Sequence, residues 1–85
     1  MKLWIKAFFK DKIVLNELIA NNIPLNSITL GNALTELMDK HDLPNPIVTQ
    51  INVDNLNNFN HLKFTQRDFL EKIPFDYMEV SNIPK

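Results

Sequence analysis

The sequence predicts an α+β domain with a mainly antiparallel sheet of three to four strands, and three observations carry that prediction. Residues 2–9 and 13–20 are two runs rich in Ile, Val, Leu, Phe and Trp around the charged triplet Lys10-Asp11-Lys12, the pattern of a β-hairpin. Leu30, Ala33, Leu34, Leu37, Met38 and His41 recur at the spacing of one amphipathic helix face. Residues 75–83 form a last β-prone run, with Phe75, Tyr77 and Ile83 on one side. At 85 residues the chain is expected to be a single domain over 1–85, since domains usually run to about 100–150 residues.

The hairpin register follows from the faces, because paired residues of an antiparallel ladder point the same way. Centring the turn on Asp11 puts Leu3, Ile5, Ala7, Phe9, Ile13, Leu15 and Ile19 on one face, interrupted only by Glu17. Lys2, Trp4, Lys6, Phe8, Val14, Asn16 and Leu18 then share the other. A two-residue turn at Asp11-Lys12 mixes these sets, although it pairs Lys6 with Glu17. The first register is preferred for its cleaner apolar face. Neither Gly nor Asn stands at the turn to supply positive φ, so the turn signal itself is weak.

Asn21-Asn22-Ile23-Pro24 reads as a loop. A helix over 29–42 comes next, with Thr29 or Ser27 as N-cap and Ile28 placed to pack on Ala33; Leu43-Pro44-Asn45-Pro46 ends it. Residues 47–51 read as a short third strand. The asparagine-rich stretch 52–59 suits one or two helical turns through Val53, Leu56 and Phe59. Thr65 caps a short helix over about 66–72 ended by Pro74, with Phe64 and Phe69 as its hydrophobic staple. The C-terminal strand is expected beside strand one or two, and helix 29–42 over the Leu3, Ile5, Ala7, Phe9, Leu15 and Ile19 face. The expected core is Ile5, Phe9, Ile13, Leu15, Leu30, Leu34, Leu37, Met38, Phe64, Phe69 and Tyr77.

Composition narrows the function classes. With 45% hydrophobic residues, 22% charged and a net charge of -1, the chain is neither disordered nor able to coat nucleic acid through overall charge. Zero cysteines exclude disulfides, thiolate metal sites and a thiol nucleophile. Lys6, Lys10, Asp11 and Lys12 break the first apolar stretch below signal-peptide length, and no stretch approaches a membrane span. A cytoplasmic location is expected. The twelve asparagines are dispersed among apolar positions, which fits an AT-rich genome better than a prion-like tract.

The opening MKLWIKAFFKDKIV, the middle PIVTQINVDNL and the closing KFTQRDFLEKIPFDYMEV resemble a family of small uncharacterised proteins from low-GC Gram-positive bacteria. The family pattern is a Trp-bearing first strand with a Lys-Asp turn, a Phe-Thr-Gln helix start and a Phe-Asp-Tyr strand. Trp4, Asp11, Phe64, Thr65, Gln66, Phe69, Phe75, Asp76 and Tyr77 match it. The chain departs from the pattern at 52–60, where asparagine replaces charge. The resemblance supports the fold; the family has no assigned activity, so it carries over no catalytic or binding residue.

Candidate chemistry is sparse. His41 and His61 lack carboxylates at metal-ligand spacing and read as structural or solvated. Glu17, aimed at the apolar face, is either near a sheet edge, paired with Lys6 across the strands, or a functional acid of raised pKa. Ser27 and Ser81 have no elbow or oxyanion context, and one glycine builds no phosphate loop. Neither catalysis nor a cofactor is expected. Charge is uneven: residues 1–12 carry four lysines and one aspartate, interleaved with Trp4 and Phe8. With Lys63 and Arg67, that strip suits nucleic acid, although alternating Lys more often protects a strand edge. Trp4, Phe8, Val14 and Leu18 are the weightier feature. Either the 52–72 segment covers them, or they form a protein interface. The expected function is a small non-catalytic interaction module whose interface includes Trp4, Lys6, Phe8, Lys63 and Arg67. A nucleic-acid accessory protein is the alternative, and a homodimer a further possibility.

Overall fold

Six segments of regular structure and one 3₁₀ turn build the domain in a computed structural model that describes residues 1–83. Strands β1 (Lys2–Phe9) and β2 (Lys12–Ala20) form the hairpin. Helices α1 (Ser27–Lys40) and α2 (Gln50–Phe59) come next, then strand β3 (His61–Thr65), the 3₁₀ turn Gln66–Asp68 and strand β4 (Tyr77–Asn82). All pairings are antiparallel and the strand order is β2-β1-β4-β3. The α+β class holds, with four strands.

The hairpin takes the expected register from Lys2↔Ala20 to Ala7↔Leu15, then slips by one residue at Phe8↔Ile13. Val14 is left over as a bulge, which reverses the alternation beyond it. The tight turn is therefore Lys10-Asp11, with φ of 50° and 65°, the positive values a two-residue hairpin requires. Two expected core residues are corrected by this. Ile13 turns to the Phe8 face and is 53% exposed, while Phe9, beside the turn, is 40% exposed.

Helix α1 starts earlier than its periodicity predicts. Asn26 is the N-cap: its Oδ1 accepts from the amides of Ile28 (3.0 Å) and Thr29 (2.9 Å), and Thr29 Oγ1 accepts from the Asn26 amide. Thr29 thus closes a capping box three residues in, and Ile28 faces solvent. At the other end Asp42 has φ of 55°, and the Leu43 amide donates to the Met38 carbonyl, the Schellman arrangement that ends a helix.

The expected strand at 47–51 does not form; only an isolated bridge joins Pro46 to Phe69. Thr49 instead becomes the cap of α2, its amide donating to Asn52 Oδ1 at 2.8 Å. Val53 and Leu56 are buried one turn apart, and Asn60 closes the helix in the left-handed region. Burial and capping outweigh the β propensity of Ile47-Val48. The helix expected over 66–72 shrinks to one 3₁₀ turn, after which Phe69 is extended and the Gln66 side chain holds the chain that follows. Its Nε2 donates to the Glu71 carbonyl, and its Oε1 accepts from the Ile73 amide.

Leu3, Ile5, Ala7 and Leu15 of the hairpin, Leu62, Phe64, Met78 and Val80 of the other two strands, and the inner faces of both helices share one core. Both helices therefore contribute to the same side of the sheet. This is a two-layer domain.

Candidate interaction surface

The second sheet face carries the side chains that alternation sends away from the core. Across β2, β1, β4 and β3 the register aligns them in rows. One row is Leu18, Trp4, Ser81 and His61; the next is Asn16, Lys6, Glu79 and Lys63; the third is Ile13, Phe8, Tyr77 and Thr65. Tyr77, expected in the core, belongs here because Met78 and Val80 take the inward positions of β4.

Neighbouring groups hold the aromatic rings in place. Phe8 and Tyr77 stack with centroids 4.9 Å apart. Lys6 Nζ lies 4.2 Å from the Trp4 ring centre and 5.9 Å from that of Phe8. Lys63 Nζ lies 4.3 Å from the Tyr77 ring. Each is a cation–π contact of a kind worth about 0.5–1 kcal/mol at exposed sites. Trp4 Nε1 donates to Asn16 Oδ1 across the strands at 2.6 Å. The indole is thus anchored while 40% exposed, with Leu18 beside it 55% exposed.

Charge is segregated between the layers. Lys2, Lys6 and Lys63 outnumber Glu79 on the sheet face, whereas Glu36, Asp39 and Asp54 outnumber Lys40 on the helices. Of the expected interface residues, Trp4, Lys6, Phe8 and Lys63 come together. Arg67 is exposed on the 3₁₀ turn beyond β3, and no hydrogen bond or ion pair among the described residues ties it to this face. Tyr77 and Glu79 complete the surface without having been expected there. The alternation His61-Leu62-Lys63-Phe64-Thr65 is the signal that would have found β3 and placed Lys63.

Glu17 lies on the core-facing side of β2, an edge strand, as one of its expected explanations required. Lys6 is on the opposite face, so the two do not pair. Instead His41 Nε2 donates to Glu17 Oε1 at 2.8 Å, and Lys40 Nζ stands 3.6 Å away. The His41 hydrogen bond, reinforced by the Lys40 charge, holds the Glu17 carboxyl below its ordinary value of 4.5. The group is an ionised tether between β2 and the end of α1. A proton donor of raised pKa is the opposite case. His61 Nε2 lies 3.7 Å from Glu79 Oε2 at the far side of the sheet. Among the described residues, no three His, Asp or Glu side chains are placed to hold a metal ion, and no helix is long and apolar enough to cross a membrane.

No family model matches this chain, and neither the curated proteins nor the solved structures include one that is significantly similar to it.

Proposed function

We propose that this protein is a cytoplasmic interaction module that binds a partner protein through the open face of its sheet, acting by contact without catalysis or cofactor. The observation that carries the reading is the pair of apolar rows left uncovered by the helices, Leu18 with Trp4 and Ile13 with Phe8 and Tyr77, on either side of the polar row that holds Lys6 and Lys63. Large apolar side chains grouped on one open face of a small domain mark an interface, and anchored aromatics are the residues that dominate binding energy. The lysines between the two apolar rows select the partner: apolar side chains on either side of a carboxylate fit, and a basic surface is repelled.

Single-stranded nucleic acid is the second reading, favoured by Trp4, Phe8 and Tyr77 lying with Lys6 on the two central strands. It is the weaker one. Base stacking needs free ring faces, and Phe8, Tyr77 and Trp4 already engage one another or lysine ammonium groups.

Trp4 is the only tryptophan, so its emission reports directly on this face. A protein recovered from cells on the immobilised chain should, once purified, shift that emission on titration. Lys6→Glu should weaken the complex by about tenfold or more, as should Trp4→Ala when binding is followed calorimetrically. Affinity unaffected by both substitutions overturns the reading. Quenching of Trp4 by oligothymidine at low salt, lost steeply as salt rises, would assign the face to nucleic acid instead.

A further inference from the structure

The two edges of the sheet are not equivalent. The Lys2 and Phe8 carbonyls accept from the Ile83 and Asp76 amides, so even-numbered residues of β1 turn their backbone groups toward β4. Odd-numbered residues then bond to β2, consistent with Met1 and Asn21 exchanging both N–H···O bonds at 2.9 Å. It follows that Asn16, Leu18 and Ala20 of β2 direct their N–H and C=O groups outward, away from the sheet. On the opposite edge the Asn82 amide donates to the Asn60 carbonyl, which by the same alternation leaves His61, Lys63 and Thr65 of β3 outward. That edge is short and guarded: the Thr65 amide is taken by Asp68 Oδ2 at 2.7 Å, and His61 and Lys63 carry polar side chains. From Asn16 to Ala20, β2 has only one charged side chain, Glu17, and that one is tied to His41.

Alongside this bare edge runs a groove of about 550 Å³ between β2 and α1, within the range of about 300–1,000 Å³ typical of ligand sites. Ile19, Ala33 and Leu37 give it an apolar lining, and Asn32 and Glu36 of α1 give it polar groups. Among the described residues no cation pairs with Glu36.

We infer that this edge and groove bind an extended peptide segment of a partner protein by strand addition. The segment becomes a fifth strand beside β2, antiparallel or parallel, and sends alternate side chains between β2 and α1. Three residues with unpaired outward donors and acceptors are chemically complementary to another strand and to little else. The helix beside them limits the occupant to a single chain, and apolar residues at alternate positions match Ile19, Ala33 and Leu37. Lys40 also lines the groove but stands 3.6 Å from Glu17, so Glu36 is the carboxylate left to favour an Arg or Lys in that segment. The site uses backbone groups that the open face does not, so it stands whether or not that face has a partner.

The test is amide hydrogen exchange on the ¹⁵N-labelled chain with an eight-residue acetylated, amidated peptide of alternating threonine and valine carrying one arginine. Peptide at saturation should slow exchange of the Asn16, Leu18 and Ala20 amides by about tenfold or more. Its counterpart methylated on every backbone nitrogen should not. Leu18→Pro removes an outward donor, a change an edge strand tolerates, and should abolish the protection; should that variant not fold, the methylated peptide decides alone. Unchanged exchange of the three amides overturns the proposal, as does a response confined to Trp4 and Tyr77. Protection that grows with protein concentration in the absence of peptide also overturns it, because a second copy would then occupy the edge.

Discussion

Truncating Leu34 and Ile13 to alanine separates the observed packing from the one that strict hairpin alternation implies. Alternation and helical spacing place both in the core, yet Leu34 is 0% exposed under α1 whereas Ile13 lies on the open face, pushed there by the Val14 bulge. Leu34→Ala removes a fully enclosed side chain from a cluster shared by both helices and the sheet, a change that costs about 2–5 kcal/mol. Unfolding entropy is about 2.1 cal/mol/K per residue, so over 85 residues each kcal/mol moves the midpoint by about 5–6 °C. The expected fall is roughly 10–30 °C. Ile13→Ala gives up a side chain already half in water and should cost only about 0.5–1 kcal/mol, or roughly 3–6 °C. Thermal unfolding followed by circular dichroism, with urea titrations to confirm an unchanged m-value, measures both. Equal losses for the two variants would refute the bulge and return Ile13 to the interior.

Three further outcomes rest on the same geometry. Because the folded pKa of Glu17 is depressed, its tether contributes stability in full above the unfolded pKa and loses it as pH falls through the lower folded value. The urea midpoint of the wild type should therefore exceed that of Glu17→Gln near neutrality, and the gap should close as the pH falls below the ordinary carboxyl value of 4.5; a constant gap across that range would contradict the tether. Gly31 sits inside α1 with nothing within 4 Å of where a Cβ would stand, so Gly31→Ala should stabilise by about 0.5–1 kcal/mol, read as a raised midpoint. Replacing Lys10-Asp11 by Asn-Gly should add about 1 kcal/mol, since both positions have positive φ, and a loss instead would argue against the two-residue turn.

Local periodicity made much of this domain legible. Residues 2–7 pair with 15–20 as their apolar alternation requires, α1 buries the Leu30, Leu34, Leu37 and Met38 face that its spacing announces, and the C-terminal run pairs with β1. Trp4, Lys6 and Phe8 were recognisable as surface candidates because a strand sends every second side chain to one face; Lys63 was a candidate by its charge near an expected helix start, and only β3 puts it on that face. Other features depended on groups distant in the chain or on competition that propensity does not resolve. The slip at Val14 depends on where a tight turn closes, and no Gly marks that place. Ile47-Val48-Thr49 has strand composition, but capping by Asn52 and burial of Val53 and Leu56 make Gln50–Phe59 a helix. Whether Trp4 and Phe8 are covered could not be read from β1 at all. It was decided by both helices packing onto the Leu3, Ile5 and Ala7 side, which satisfies one sheet face and leaves the other, with its aromatic rings and lysines, to water.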